Sequence, residues 1–204
     1  MARSRARHLK DRSIESELKF RVRGPKAHLK LRSALRKRGA RLDGRYQEEN
    51  IRFDGPGKST RRSTLRLRVL DGGPRGILTA KGPARFEGRV KTREETEVAV
   101  ADAHSTLDLL LQLGFQVAVI YPKRRSMWLL DGVAVTLDVL EFGYFVELEG
   151  PVDVLAEMAR NFGLNPNRAL RDSYSVMARR YAKTKKVSAV PVTPLVPRPT
   201  TAQE

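Results

Sequence analysis

The chain has 204 residues, 40% hydrophobic and 31% charged, a composition that fits one folded domain with a substantial core and excludes a fully disordered polymer. Its formal net charge is +17, so polyanions such as nucleic acid, polyphosphate or nucleotides are the expected partners. No cysteine is present, which excludes disulfides, thiol nucleophiles and thiolate metal sites; the three histidines lie far apart, which argues against zinc, and no apolar run is long enough to span a membrane.

Residues 1–13, "MARSRARHLKDRS", read as a flexible basic arm without the apolar core of a signal peptide, so a cytoplasmic location is expected. A strand follows in "IESELKFRV", then a helix over 26–38 closed by Gly39. Strands are predicted at 46–53, 64–70, 76–81, 91–99, 117–125, 127–130, 133–139 and 144–149, several of them separated by turn clusters such as "DGPGKS" and "DGGPRG". Helices are predicted at 103–113, 151–162 and 172–182. Residues 183–204, with Pro191, Pro194, Pro197 and Pro199, read as an extended tail. The order is not that of a doubly wound sheet. It predicts an α+β fold with a long antiparallel sheet and helices packed outside.

Alternate residues of a strand face opposite sides. Glu15, Glu17 and Lys19 therefore share a face, as do Arg66 and Arg68, Thr79 and Lys81, Arg93, Glu95 and Glu97, Lys123 and Arg125, Thr136 and Asp138, and Glu147 and Glu149. A wet polar face is the ordinary explanation for one strand. The whole set holds seven acids and seven bases, and Glu-x-Glu occurs three times against an apolar partner face. An eight-stranded antiparallel sheet that closes into a barrel would turn all these charges inward. Charges so confined must be hydrated, cross-paired or matched by an ion-rich ligand. Carboxylate pairs suit Mg²⁺ or Mn²⁺, and Arg and Lys suit phosphate oxygens, so the mixture points to phosphoryl chemistry.

Glu15-x-Glu17-x-Lys19, "QEENIRFD" (47–54), "LRLR" (65–68), "LTAKGP" (78–83), "REETE" (93–97), "KRR" (123–125), "LDVLEFGYFVELEG" (137–150) and "DSY" (172–174) together resemble the CYTH family of class IV adenylyl cyclases and thiamine triphosphatases, the triphosphate tunnel metalloenzymes. The resemblance spans residues 14–182. It implies an eight-stranded tunnel that threads a triphosphate and Mg²⁺ or Mn²⁺. By position, Glu15, Glu17, Glu147, Glu149 and Asp138 would hold metal. Lys19, Arg66, Arg68, Lys81, Arg93, Lys123 and Arg125 would grip phosphate, with Lys123 and Lys81 as candidate catalytic residues. Glu95 and Glu97 would bind a second metal or form ion pairs. Arg179, Arg180 or Lys183 of the last helix would contact phosphate. Crowding by cations would lower the pKa of Lys123, as a base requires.

Triphosphate hydrolysis is the favoured activity; conversion of ATP to cyclic AMP and pyrophosphate is the alternative within the family. A non-catalytic RNA- or polyphosphate-binding module is the alternative of another class, disfavoured by the low aromatic content and the lack of a stacking motif. The family also implies a homodimer. No membrane partner is expected.

Overall fold

The computed structural model describes residues 13–57 and 63–189. The N-terminal arm up to residue 12 and the tail from residue 190 lie outside the described residues. Nine strands and four α-helices follow in the order β1 (Ser13–Val22), α1 (Gly24–Lys37), β2 (Arg41–Asp54), β3 (Thr64–Leu70), β4 (Gly76–Lys81), β5 (Arg85–Glu87), β6 (Val90–Val100), α2 (Ala103–Gln112), β7 (Gln116–Leu130), β8 (Val133–Leu140), β9 (Gly143–Glu149), α3 (Val152–Asn161) and α4 (Tyr174–Lys185).

The strands run antiparallel in the order β1-β9-β8-β7-β2-β3-β4-β6, and β1 also pairs with β6 from Ser13↔Glu95 to Glu17↔Lys91. That last pairing closes an eight-stranded barrel. β1 serves both seams because its first half pairs with β6 and its second half with β9, the change coming at Glu17. The short β5 was not foreseen; it pairs with the start of β6 at Phe86↔Lys91. The two strands expected at 117–125 and 127–130 are one, since Ser126 continues the ladder to both Arg45 and Leu137. A single serine separates the two expected strands, and because it is paired on both sides the chain does not turn there.

Helix ends follow local chemistry. Pro25 opens α1 where its missing N–H is harmless, and Gly39 past its end takes φ +78°, a conformation open to glycine at little cost. Asp102 caps α2 by accepting from the N–H groups of His104 and Ser105. α4 runs through Lys185, three residues into the expected tail, and the Ile120 N–H donates to Ala189 O at 2.9 Å. The folded body therefore extends to the end of the described residues. Among these, no helix is long and apolar enough to cross a membrane.

Three apolar clusters surround the lumen. The largest buries Leu18, Phe20, Trp128, Val135, Val146 and Leu148 of the sheet under Leu31 and Leu35 of α1 and Leu155 of α3. A second sets Ile51, Phe53, Leu67 and Val69 against Leu110 of α2. These are the outward faces predicted by parity. Helix cover is incomplete, however: Ile14 and Val98, on the same apolar faces, are 73% and 49% exposed. The third cluster breaks the charge rule. Tyr121 and Phe145 occupy inward positions, in line with Lys123 and Glu147, and pack with Tyr174 of α4. Here α4 plugs part of the lumen with aromatic rings, Phe145 and Tyr174 meeting edge to face at 5.2 Å between centroids.

Phe145 is fully buried at this plug. Phe145→Ala is expected to cost about 3–5 kcal/mol of stability, read from the midpoint of urea unfolding monitored at Trp128.

Candidate active site

One cavity of about 570 Å³ occupies the lumen, and seven carboxylates and eight basic side chains line it. The charged residues expected on the strands are all there except Asp138; the candidates on the last helix, Arg179, Arg180 and Lys183, are not.

Glu15 and Glu17 from β1 meet Glu149 from β9, with Glu17 and Glu149 directly paired in register. Their carboxylate oxygens lie within 4.8 Å of one another. The three differ in how they are compensated. Glu17 accepts from Lys91 Nζ at 2.9 Å, and Lys19 Nζ lies 3.8 Å away. Glu15 accepts from Lys81 Nζ at 3.2 Å. Burial works against its charge, yet a hydrogen bond with Glu95 and the Lys81 ammonium pull its pKa down to about 2. Glu149 has no ion-pair or hydrogen-bond partner among the described residues. Burial and then the Glu15 carboxylate push its pKa up to about 8. A carboxyl so placed is short of positive charge, and hard oxygen donors clustered at this spacing fit a divalent cation of the Mg²⁺ or Mn²⁺ kind.

Glu147 and Asp138 are committed elsewhere. Glu147 pairs with Lys19 Nζ at 3.0 Å and with Arg125. Asp138 is fully buried behind the lumen wall. Arg125 donates to both its oxygens, Nε to Oδ1 at 2.7 Å and Nη2 to Oδ2 at 2.6 Å, and the Tyr174 hydroxyl donates to Oδ2 at 2.9 Å. With both oxygens taken and no face on the cavity, Asp138 holds Arg125 in place; it does not stand among the clustered carboxylates where it was expected. Inward parity brought it to the right side of β8, but the longer Arg125 covers it.

The basic residues face the cluster from β3, β4, β6 and β7. Arg66 Nη2 donates to Thr79 Oγ1 at 3.3 Å, and Arg66 and Arg68 lie 3.6 and 3.8 Å from Glu97. The Nε atoms of both arginines are buried without a hydrogen-bond acceptor. Such donors are costly to leave unmet, and phosphate oxygens would meet them. Arg93 Nε donates to Glu95 at 3.1 Å, and Lys81 also pairs with Glu95. Burial and the bond to Glu15 raise the Glu95 pKa to about 7. Glu95 and Glu97 thus act here as ion-pair partners for the basic row.

Lys123 is buried and lies 2.9 Å from Glu48. Burial first and Arg125 second lower its pKa, as crowding suggested, though desolvation is the larger cause. Glu48 is pulled the other way: burial opposes its charge, but Lys123, Arg125 and Arg68 take its pKa to about 2. Glu48 and Lys91 were missed by sequence reasoning. Lys91 shares the parity of Arg93 and Glu95, which could have found it. Glu48 lies in an inward row of Tyr46, Asn50 and Arg52, where no charge repeat marks it. Nor do Arg179 and Arg180 reach the cavity; they pair with Asp54 and Asp172. Lys183 does not line it either. From this end of the chain Ser173, Tyr174 and Ser175 do, and Lys19 Nζ sits 4.3 Å from the Tyr174 ring centroid.

The CYTH domain matches residues 13–172, most of the folded body. The chain belongs to the CYTH domain family. A protein of Methanocaldococcus jannaschii provisionally named an adenylate cyclase is 26% identical over 172 residues, covering 79% of this chain and 96% of its own. Among solved structures, a provisionally named adenylate cyclase of Vibrio parahaemolyticus superposes with a TM-score of 0.69 at 21% identity, over 83% of this chain and 99% of that one. A Hippeastrum protein provisionally named an adenylyl cyclase, and described as having a dominant triphosphatase activity, superposes with a TM-score of 0.64 at 20% identity, over 82% and 96%. The latter two share the closed CYTH barrel.

Asp138→Asn takes one of two carboxylates from Arg125 and leaves it Glu147. A stability loss of about 1–3 kcal/mol is expected from chemical denaturation, because hydrogen bonds to a charged group are weakened but the charge keeps a partner.

Proposed function

We propose that this CYTH protein hydrolyses a triphosphate with the help of Mg²⁺ or Mn²⁺. The observation that carries the reading is the pair of complementary deficits in one lumen: a carboxylate cluster short of positive charge, and buried arginine donors short of acceptors. A divalent cation with a polyphosphate answers both. A bare RNA-binding surface needs neither, and charges inside a barrel are poorly placed to track a nucleic acid backbone.

Glu15, Glu17 and Glu149 would hold the cation. When bound, it would neutralise phosphate oxygens and balance charge on the leaving group. Arg66 and Arg68 would take the phosphate oxygens with their forked donors, and Arg125, fixed by Asp138, would hold the chain in line. Lys81 would follow charge as it develops on the leaving phosphate. Lys123 would take a proton from the attacking water through its Nζ. Its lowered pKa favours the free amine that this step needs, and Glu48 would hold that nitrogen in position. Residues 173–175 of the plug close the lumen around it and limit water.

Cyclisation of ATP differs in the attacking group, a ribose hydroxyl in place of water, and in the bond broken, since attack at the α-phosphorus expels pyrophosphate; the name of the Methanocaldococcus relative keeps it in view. Purified protein incubated with Mg²⁺ or Mn²⁺ and tripolyphosphate, ATP or thiamine triphosphate should release phosphate, with little or no cyclic AMP. Glu149→Gln should abolish this turnover and weaken Mn²⁺ binding measured by electron paramagnetic resonance. Cyclic AMP and pyrophosphate as main products would replace hydrolysis by cyclisation; no turnover of any triphosphate would overturn both.

The pH profile tests Lys123. A lysine acts as a base only when deprotonated, so the rate should rise with pH and level off at a pKa below the ordinary 10.5. Lys123→Ala should lose this limb together with about 10²–10⁴-fold in kcat; full turnover in that variant would remove Lys123 from the mechanism.

A further inference from the structure

A second cavity, of about 590 Å³, lies on the outside of the barrel between α1 and the outer faces of β8, β7 and β2. Its floor is two cross-strand rows of outward residues. One runs Tyr144, Val139, Arg124 and Gln47 over β9, β8, β7 and β2; the next runs Leu137, Ser126 and Arg45 over β8, β7 and β2. Both rows change in the same sense, from aromatic and aliphatic side chains on β9 and β8 to guanidinium groups on β7 and β2. The wall is one stripe of α1, Pro25, His28, Leu29 and Arg32, whose spacing of three and four residues puts them on one side of the helix. α1 meets the core through Leu31 and Leu35 instead, so this stripe is left to border the groove.

Each half of the groove is unfinished. On the apolar half, His28 is fixed: its Nε2 donates to the Phe145 carbonyl at 2.9 Å, and its ring meets Tyr144 edge to face at 5.2 Å between centroids. Burial lowers its pKa below the ordinary 6.5, so at neutral pH it adds a ring and not a charge. Leu29 beside it is 54% exposed. On the other half, Arg32, Arg45 and Arg124 have no ion-pair partner among the described residues. Asp71, the one carboxylate on the lining, already accepts from the Gln47 N–H at 2.8 Å. Three uncompensated guanidinium groups thus border an apolar floor, a pairing that free arginines scattered over a wet surface do not make.

We infer that this groove is a second binding site, for a small organic anion that lays a flat apolar body on Tyr144, Val139, Leu137 and Leu29 and turns a carboxylate or phosphate to Arg45 and Arg124. Either anionic group takes forked guanidinium donors, and the volume is that of an ordinary small-molecule site. An inorganic polyphosphate has no body for the apolar half, and an uncharged molecule leaves the arginines unmet. The lumen lies on the other face of the same strands. Arg124 and Arg125 are adjacent and point opposite ways, so β7 gives one guanidinium to each face, and Tyr46 and Arg125 border both cavities. The inference does not depend on the triphosphate reading, since none of the clustered carboxylates or of Arg66 and Arg68 takes part in it.

Two fluorescent probes test it on the full chain: anilinonaphthalene sulfonate, a flat aromatic body with one anionic group, and phenylnaphthylamine, the same body without it. The sulfonate should bind saturably at one site, about tenfold or more tightly than the neutral amine. Arg45→Glu and Arg124→Glu should each weaken it about tenfold, and Leu29→Glu should weaken both probes. Arg160→Glu, an equal change of charge on α3 outside the groove, should move it less than about twofold. Naphthoate and naphthyl phosphate should both displace the sulfonate, and the tighter of the two identifies the anionic group. Arg45 and Arg124 are exposed and stand on different strands, so one variant failing to fold leaves the other to decide. Equal binding of the two probes, constants unmoved by both arginine variants, or displacement by neither naphthyl acid overturns the site. So does an Arg160→Glu effect as large as the others, which would make the attraction a matter of net charge alone. A protein that turns over no triphosphate would sink the catalytic reading and leave this result standing.

Discussion

Everything at this site follows from the closing of the sheet by β1 and β6. Once Ser13–Glu17 pairs with Lys91–Glu95, the inward row of every strand loses its bulk water, and charges that would be cheap on an open sheet must find partners across the lumen. They do so in chains. Lys19 bridges Glu17 and Glu147, Arg125 joins Glu147 to Asp138, Lys81 joins Glu15 to Glu95, and Lys123 meets Glu48. Removing one member strands its partner in a low-dielectric interior, so the network fixes each side chain in a single geometry. Such fixed dipoles and charges are what a transition state can use without waiting for rearrangement. The compensation is also incomplete in a directional way, with negative charge in excess around Glu149 and donors in excess at Arg66 and Arg68. A site balanced to the last bond would have nothing left to offer a ligand.

Much of this was legible because parity is a strict rule. Alternation alone placed Glu15, Glu17, Lys19, Arg66, Arg68, Lys81, Glu95, Lys123, Arg125 and Glu147 on one side of their strands, and the barrel gathers them. What parity does not report is depth. Asp138 and Arg125 obey the same rule, yet a short side chain beneath a long one ends behind it, so the aspartate serves the arginine. Nor does parity show which acids are paired. Glu147 and Glu149 are two residues apart, but only Glu147 lies within reach of Lys19 and Arg125, and that depends on stagger between strands. Glu48 escaped notice for a related reason: an inward row of Tyr, Glu, Asn and Arg shows no repeat, although its middle is as buried as any.

The barrel also has two unlike ends, and the reason is the chain's last helix. α4 brings Tyr174 onto Phe145 and Tyr121, so aromatic residues at inward positions become core at that end. The same Tyr174 donates to Asp138 and lies against Lys19, which ties the plug to the charge network. Packing and site are thus one structure there. No equivalent cover lies over Tyr46, Leu70, Ile77 and Met127, and inward apolar groups keep one surface available. Sequence alternation marks both sets as inward and cannot tell which one is covered, because the difference is made by a helix more than thirty residues away from most of them.

The net charge of +17 takes on a different meaning once the lumen is seen to be almost neutral. Seven carboxylates and eight bases line the cavity, so nearly all the surplus lies outside it. α1 alone carries Lys26, Lys30, Arg32, Arg36 and Lys37 with no acid, and Arg38, Arg41 and Arg45 continue the run into β2. On the triphosphate reading proposed above, attraction and specificity would be separated in space. The exterior would supply a long-range positive potential that raises the local concentration of polyanions and weakens as salt shortens its reach. The lumen, screened little by salt, would select among those anions by geometry. A surplus placed inside would have to be held apart against its own repulsion; outside, water carries that burden, and the interior pairs can remain matched to within a charge of neutrality.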